Sequence, residues 1–153
     1  MPNSTDNPTK LFTVDSANSS LPLVRVIAAD MVSLANELFE RRQRVEILSA
    51  GRPLGEGDVY ADELAEIQKE LARDDERLSG FVEEISQLGA ETKSTAEGLI
   101  DFPAMIDGRL VYLCWKYDEP GVAFWHELDA GFSGRQRLRV ARFSDASLRD
   151  DDQ

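Results

Sequence analysis

Two runs of apolar residues stepping by three and four constrain this chain more than any other feature. In the first, Val24, Ile27, Met31, Leu34, Leu38, Val45 and Leu48 make one stripe, interrupted at Arg41. In the second, Tyr60, Leu64, Ile67, Leu71, Leu78, Phe81, Ile85 and Leu88 make another, interrupted at Asp74. Residues three and four apart share one side of a helix, so each run encodes an amphipathic helix with a heptad seam, the pattern of a coiled coil. Only GRPLGEGD lies between them. Gly51 and Pro53 stop the first helix, and Asp58 caps the second. Two helices on so short a loop fold back as an antiparallel hairpin, on the order of 40 Å long. Even pairing about the loop sets Arg41 beside Ile67 and Gln68, about a heptad from Asp74. A direct Arg41–Asp74 bridge is therefore not expected.

The flanks follow other rules. Residues 1–9 are polar and read as a disordered lead-in. Lys10 to Val14 reads as a short strand. Asp15 caps a first turn, and Pro22 divides that turn from a main helix running to Ser49. After Gly89 the apolar period drops towards two. Ala90–Lys93 and Leu99–Asp101 are short extended segments, and Asp107-Gly108 is a tight turn. Arg109–Tyr117 and Val122–Leu128 form a hairpin across Asp118–Gly121. Gly131–Gly134 turns again, Gln136–Val140 adds a last strand, and residues 143–153 form an acidic flexible tail. The fold class is α+β, a long antiparallel two-helix hairpin packed with a small, mostly antiparallel sheet. One domain spans residues 10–142, with the helices over about 15–89 and the sheet over about 90–142.

Charge and composition exclude several functions. The net charge of −12 argues against a nucleic-acid partner, because phosphate binding needs a cationic footprint. The imbalance concentrates between Glu56 and Glu97, where thirteen acids face four bases, a net of −9. Near the end Arg135, Arg137, Arg139 and Arg142 make a local basic cluster, read as a solvated strand face. No run reaches the ~18 apolar residues of a membrane span, and the first residues lack the basic and apolar regions of a secretory signal. A single cysteine fits a reducing cytoplasm.

The chain's only cysteine and only histidine both fall in the Arg109–Leu128 hairpin. With a four-residue loop, Trp115 faces Phe124, Leu113 faces His126 and Cys114 faces Trp125, so Cys114 and His126 occupy opposite faces. A loop one residue different makes them neighbours. The four-residue register is preferred, and it forbids nucleophilic Cys–His chemistry. One Cys and one His cannot supply a four-ligand structural zinc site, so no metal and no cofactor is assigned. A carboxylate-rich alternative would use His126, Glu127, Asp129 and Asp101. The candidate ligand site lies instead at GFSGR. There Gly131, Ser133, Gly134 and Arg135 could turn backbone N–H groups and a guanidinium towards a small anion, with His126, Glu127, Trp115 and Trp125 alongside.

LFTVDSANSSLP, GLIDFPA, GRLVYLCWK and WHELDAGFSGR together resemble an uncharacterised bacterial family, domain of unknown function 2203, from about Lys10 to Leu138. The resemblance implies a single domain and carries no reaction. The functional expectation is a non-enzymatic assembly module forming a homodimer through its hairpin. The alternative is a small-anion-binding protein or enzyme acting at GFSGR.

Overall fold

The structure, a computed structural model, describes residues 10–50 and 59–139. Helices α1 (Val14–Ser49) and α2 (Val59–Gln87) are followed by strands β1 (Glu91–Ser94), β2 (Leu99–Ile106), β3 (Arg109–Lys116), β4 (Phe124–His126) and β5 (Gln136–Arg137). The strands lie side by side in chain order, each antiparallel to the next. The fold is α+β, a helical hairpin with an antiparallel meander. The lead-in 1–9, the helix stop at Gly51 and Pro53, the cap at Asp58, Val140, Arg142 and the tail 143–153 lie outside the described residues.

The start of α1 differs from expectation. The strand read at Lys10–Val14 shrinks to one parallel bridge, Phe12 with Ala104, and Phe12 N–H donates to the Pro103 carbonyl at 2.7 Å. Thr13, not Asp15, is the cap. Its hydroxyl accepts from Ser16 N–H while the Ser16 hydroxyl accepts from Thr13 N–H, a reciprocal capping box. The helix then runs unbroken through Pro22. Pro22 removes only one intrahelical donor. Its neighbours Leu21 and Val24, at 3% and 0% exposure, anchor that stretch of the helix in the core.

That core is one face of α1 laid on one face of the sheet. Ala17, Leu21, Val24, Ala28 and Met31 meet Ile100, Phe102, Ala104, Val111, Leu113 and Trp115. Ala17 and Ala28 are fully buried, and their small side chains let the helix approach closely. The β1–β2 turn is pressed on the same helix at Gly98, where φ is +67° and a Cβ would stand 2.5 Å from that of Tyr117. Asp107 and Gly108, with φ of 53° and 78°, make the turn between β2 and β3.

Beyond the sheet the two helices have only each other. Leu34, Leu38 and Leu71 are buried together, with Ile67 and Val45 at their margin. Here the pairing differs from the even register. Arg41 bonds Asp74 at 2.7 Å, and Arg42 pairs with Asp75. The two interruptions of the apolar seams therefore face each other. α2 is displaced by about a heptad from even pairing, which the eight-residue connection 51–58 permits. Arg41 and Asp74, at 20% and 22% exposure, form a half-buried bridge that Glu37 and Arg77 extend.

Leu71→Ala is expected to lower unfolding free energy by about 2–5 kcal/mol, since it opens a cavity where the hairpin has few other apolar contacts. Urea denaturation followed by circular dichroism measures this, and an unchanged midpoint would contradict the packing. The Asp74 bridge has a pH signature. Its bond to Arg41 holds the Asp74 carboxyl below the usual carboxylate range. A depressed folded value gives stability that is present above the unfolded value, about 3.9, and lost as pH falls through the lower folded one. The stability gap between wild type and Asp74→Asn should accordingly narrow as pH falls below about 5.

Candidate functional site

Strand β2 is buried on both faces. Its Ile100, Phe102 and Ala104 side meets α1, while Leu99, Asp101 and Pro103 lie on the opposite side and are equally covered. An aspartate at 1% exposure within an apolar strand must find polar partners. The neighbouring strands supply them. Asp101 lies opposite Cys114 of β3 and opposite Glu91 of β1, and Tyr112 of β3 lies opposite His126 of β4. Because side chains alternate, these residues share the face turned away from the helices.

The β3–β4 register overturns the expected one. Cys114 pairs with Phe124, Leu113 with Trp125 and Tyr112 with His126, one residue away from the four-residue-loop pairing. Cys114 and His126 are consequently on one face, with Trp125 and Leu113 on the other. The shift has a local cause. Asn18 Oδ1 accepts from Val122 N–H, while Arg25 donates to the Glu119 and Pro120 carbonyls. Trp115 Nε1 also donates to the Glu119 carbonyl, and Glu119 Oε1 accepts from Lys116 N–H. These contacts from α1 and β3 hold the loop in a shape that a bare DEPG turn does not specify.

His126, at 2% exposure, is fixed through both ring nitrogens. Nδ1 lies 2.7 Å from the Glu127 carbonyl and Nε2 lies 2.9 Å from Asp101 Oδ2. A carbonyl only accepts, so Nδ1 carries a proton. One further proton is then shared between Nε2 and Oδ2. Burial pushes the Asp101 carboxyl above the usual range, against the opposing pull of His126. Asp101 Oδ1 has no hydrogen-bond partner. Cys114 completes the cluster: one ligand-capable atom from each of Asp101, Cys114 and His126 lies within 4.8 Å of the others. Burial, with the Asp101 charge adding to it, pushes the Cys114 thiol up to about 12. A thiol so protonated is no nucleophile at neutral pH.

Around this cluster Tyr112 donates to both carboxylate oxygens of Glu91 at 3.0 and 2.9 Å, and its ring stands 5.5 Å from that of His126. Burial and the Glu91 carboxylate push the Tyr112 hydroxyl up to about 12. Lys93 bridges to Glu91 and lies over the Tyr112 ring. The segment after β4 returns across this face. Between them is a hollow of about 240 Å³ lined by Asp101, His126, Lys93, Leu128, Asp129 and Phe132.

The residues singled out from sequence separate into groups. Arg135 bonds Glu119 at 2.7 Å and stacks on Phe124 and Phe132, at 3.9 and 4.5 Å from the ring centroids. Gly134 N–H donates to the Gly131 carbonyl and Arg135 N–H to that of Phe132, inside the 3-10 turn Phe132–Gly134. The turn thus directs these donors inward. Ser133 is exposed, and Gly131 reaches the hollow. Glu127 pairs with Arg109 at 2.7 Å on the outside. Trp115 and Trp125 are core residues of the helix-facing side rather than a ligand wall. Of the carboxylate set, only Asp101 meets His126 through its carboxylate, while Glu127 meets it through its backbone carbonyl and Asp129 lines the hollow. The Glu91–Lys93–Tyr112 group was missed. Its signal was the alternation in ETKS, as the signal for Asp101 was one charge inside LIDFPAMI.

Cys114 should resist aromatic disulfide reagents in the folded protein from about pH 6 to pH 9 and react at once in denaturant. Rapid native labelling would contradict both its burial and its raised thiol.

A family model described as "Uncharacterized conserved protein (DUF2203)" matches residues 10–138. Neither a curated protein nor a solved structure matches the chain.

Proposed function

The chain belongs to the DUF2203 family, and we propose that it acts as a non-enzymatic assembly module that forms a homodimer through its helical hairpin. The observation that carries this reading is where burial stops. α1 has no buried residue after Leu38, although Phe39, Val45, Ile47 and Leu48 follow. Phe39 and Ile47 are 61% and 73% exposed. A two-helix hairpin without a sheet behind it leaves apolar flanks that a second hairpin can cover as a four-helix bundle.

Phe39 also sits between two hollows of about 670 and 420 Å³, both lined by Phe39 and Arg42. In a two-fold arrangement the same patch meets itself, so a projecting ring beside a hollow is self-complementary. The larger hollow carries both charge signs, Arg42 against Glu46 and Asp75. That mixture lets identical surfaces pair opposite charges. Among the described residues no helix is long and apolar enough to cross a membrane.

A second reading, a small-molecule site, draws support from the hollow beside His126, which extends to Gly131 and Phe132. It places the ligand under GFSGR rather than within the turn.

Light scattering at high micromolar concentration should give twice the 17.1 kDa of one chain. Phe39→Asp should return the monomer with an unchanged circular-dichroism spectrum, weakening association at least tenfold, about 1.4 kcal/mol. A wild-type monomer would overturn the reading.

A further inference from the structure

We propose that Asp101, Cys114 and His126 form a binding site for a zinc-class divalent cation, with its fourth coordination position opening on the hollow under the segment that follows β4. The three side chains come from three adjacent strands and are 1%, 0% and 2% exposed. One ligand-capable atom from each lies within 4.8 Å of the others. Asp101 keeps one buried oxygen, Oδ1, with no hydrogen bond.

Donor type and geometry select the ion. One sulfur, one imidazole nitrogen and one carboxylate oxygen suit zinc and its near relatives, whereas magnesium and calcium take oxygen sets. Tetrahedral zinc with bonds of about 2.0–2.2 Å to N and O separates those atoms by about 3.3 Å, and about 3.6 Å separates N from a sulfur at about 2.3 Å. Nε2 and Oδ2 at 2.9 Å therefore need to part by only a few tenths of an ångström. The sulfur has to draw in by no more than about 1.2 Å.

The surroundings match those of a ligand histidine. Nδ1 is committed to the Glu127 carbonyl at 2.7 Å, which fixes the ring and leaves Nε2 facing the cluster. Such carbonyl-anchored imidazoles are the usual support of a metal-bound histidine. Charge balances as well. The entering dication displaces the thiol proton and the proton shared by Asp101 and His126, so one thiolate, one carboxylate and one neutral imidazole give a site of net charge zero. A neutral site is the form a buried location tolerates.

Three protein ligands leave one position free, the arrangement of sites that bind water or substrate. The hollow of about 240 Å³ meets the cluster at Asp101 and His126, and Lys93 and Asp129 line it. Cys114 does not line it, so the sulfur ligates from the strand side while the opposite side receives a small ligand.

Cobalt(II) chloride added to the chelator-treated full chain tests this. The expected result is a one-to-one titration with a near-ultraviolet sulfur-to-cobalt charge-transfer band and the strong visible bands of four-coordination, both abolished by stoichiometric zinc chloride. Cys114→Ser, a near-isosteric change, should remove the charge-transfer band, and Asp101→Asn should weaken binding at least tenfold. Glu66→Gln, an exposed carboxylate on α2 away from the cluster, should keep the spectrum. No charge-transfer band in folded wild type would overturn the proposal. So would a band that survives in Cys114→Ser, or only the weak bands of six-coordinate cobalt on surface carboxylates.

Discussion

Burial of β2 on both faces is the constraint on which the rest of the sheet depends. An antiparallel strand ordinarily shows one face to solvent, and β2 instead lies between α1 and the segment that returns after β4. Its helix-side residues anchor the main core. Its other side carries Asp101 to 1% exposure, and that single charge dictates what the adjoining strands must offer. His126 answers it directly, and the β3–β4 register follows. A slip of one residue would move His126 to the helix face and leave Asp101 without its partner, a cost of several kcal/mol for an unpaired buried charge.

Much of the architecture was legible because it rests on periodicity. The helical hairpin, the meander and the Asp107-Gly108 turn each follow from local residue order, and Gly89, with φ of 100°, lies just past the end of α2. What was not legible depends on contacts distant in sequence. The β3–β4 register turns on Asn18 and Arg25, which reach the loop from α1 across about a hundred positions. The Arg41–Asp74 bridge turns on how far α2 is displaced along α1. The fate of Arg135 turns on Glu119, which lies in a loop that reads as mere solvent-exposed connection. In each case the deciding group is polar, and polar groups leave no periodic trace. The start of α1 is a milder instance: Thr13 and Ser16 form a readable capping box, and Pro22 obscured it by suggesting a break.

The candidate site shows the same asymmetry more sharply. GFSGR drew attention because its glycines and arginine have the local form of an anion-binding turn. In three dimensions the turn works as a cover. Arg135 lies across Phe124 and Phe132 and ties to Glu119, closing one side of the face that holds Asp101, Cys114 and His126. The polar cluster beneath combines residues 25 and 12 positions apart in sequence, and no short motif can express that. One charged residue inside an apolar strand was the only local sign of it.

The two proposed surfaces lie on different parts of the molecule. The apolar flank of the hairpin begins at Phe39, three residues past Asn36, whose side chain donates to the Ala96 carbonyl at 3.2 Å. The polar cluster occupies the sheet face turned away from α1. A second copy on the hairpin would therefore leave the hollow at His126 uncovered. The helices and the cluster nonetheless share a mechanical link, because Asn18 and Arg25 of α1 set the loop that sets the β3–β4 register. A disturbance of the sheet-facing half of α1 would reach Asp101 and His126 through that loop. One in the outer half of the hairpin, beyond Leu38, has no such route, so association there is compatible with an intact site in each copy.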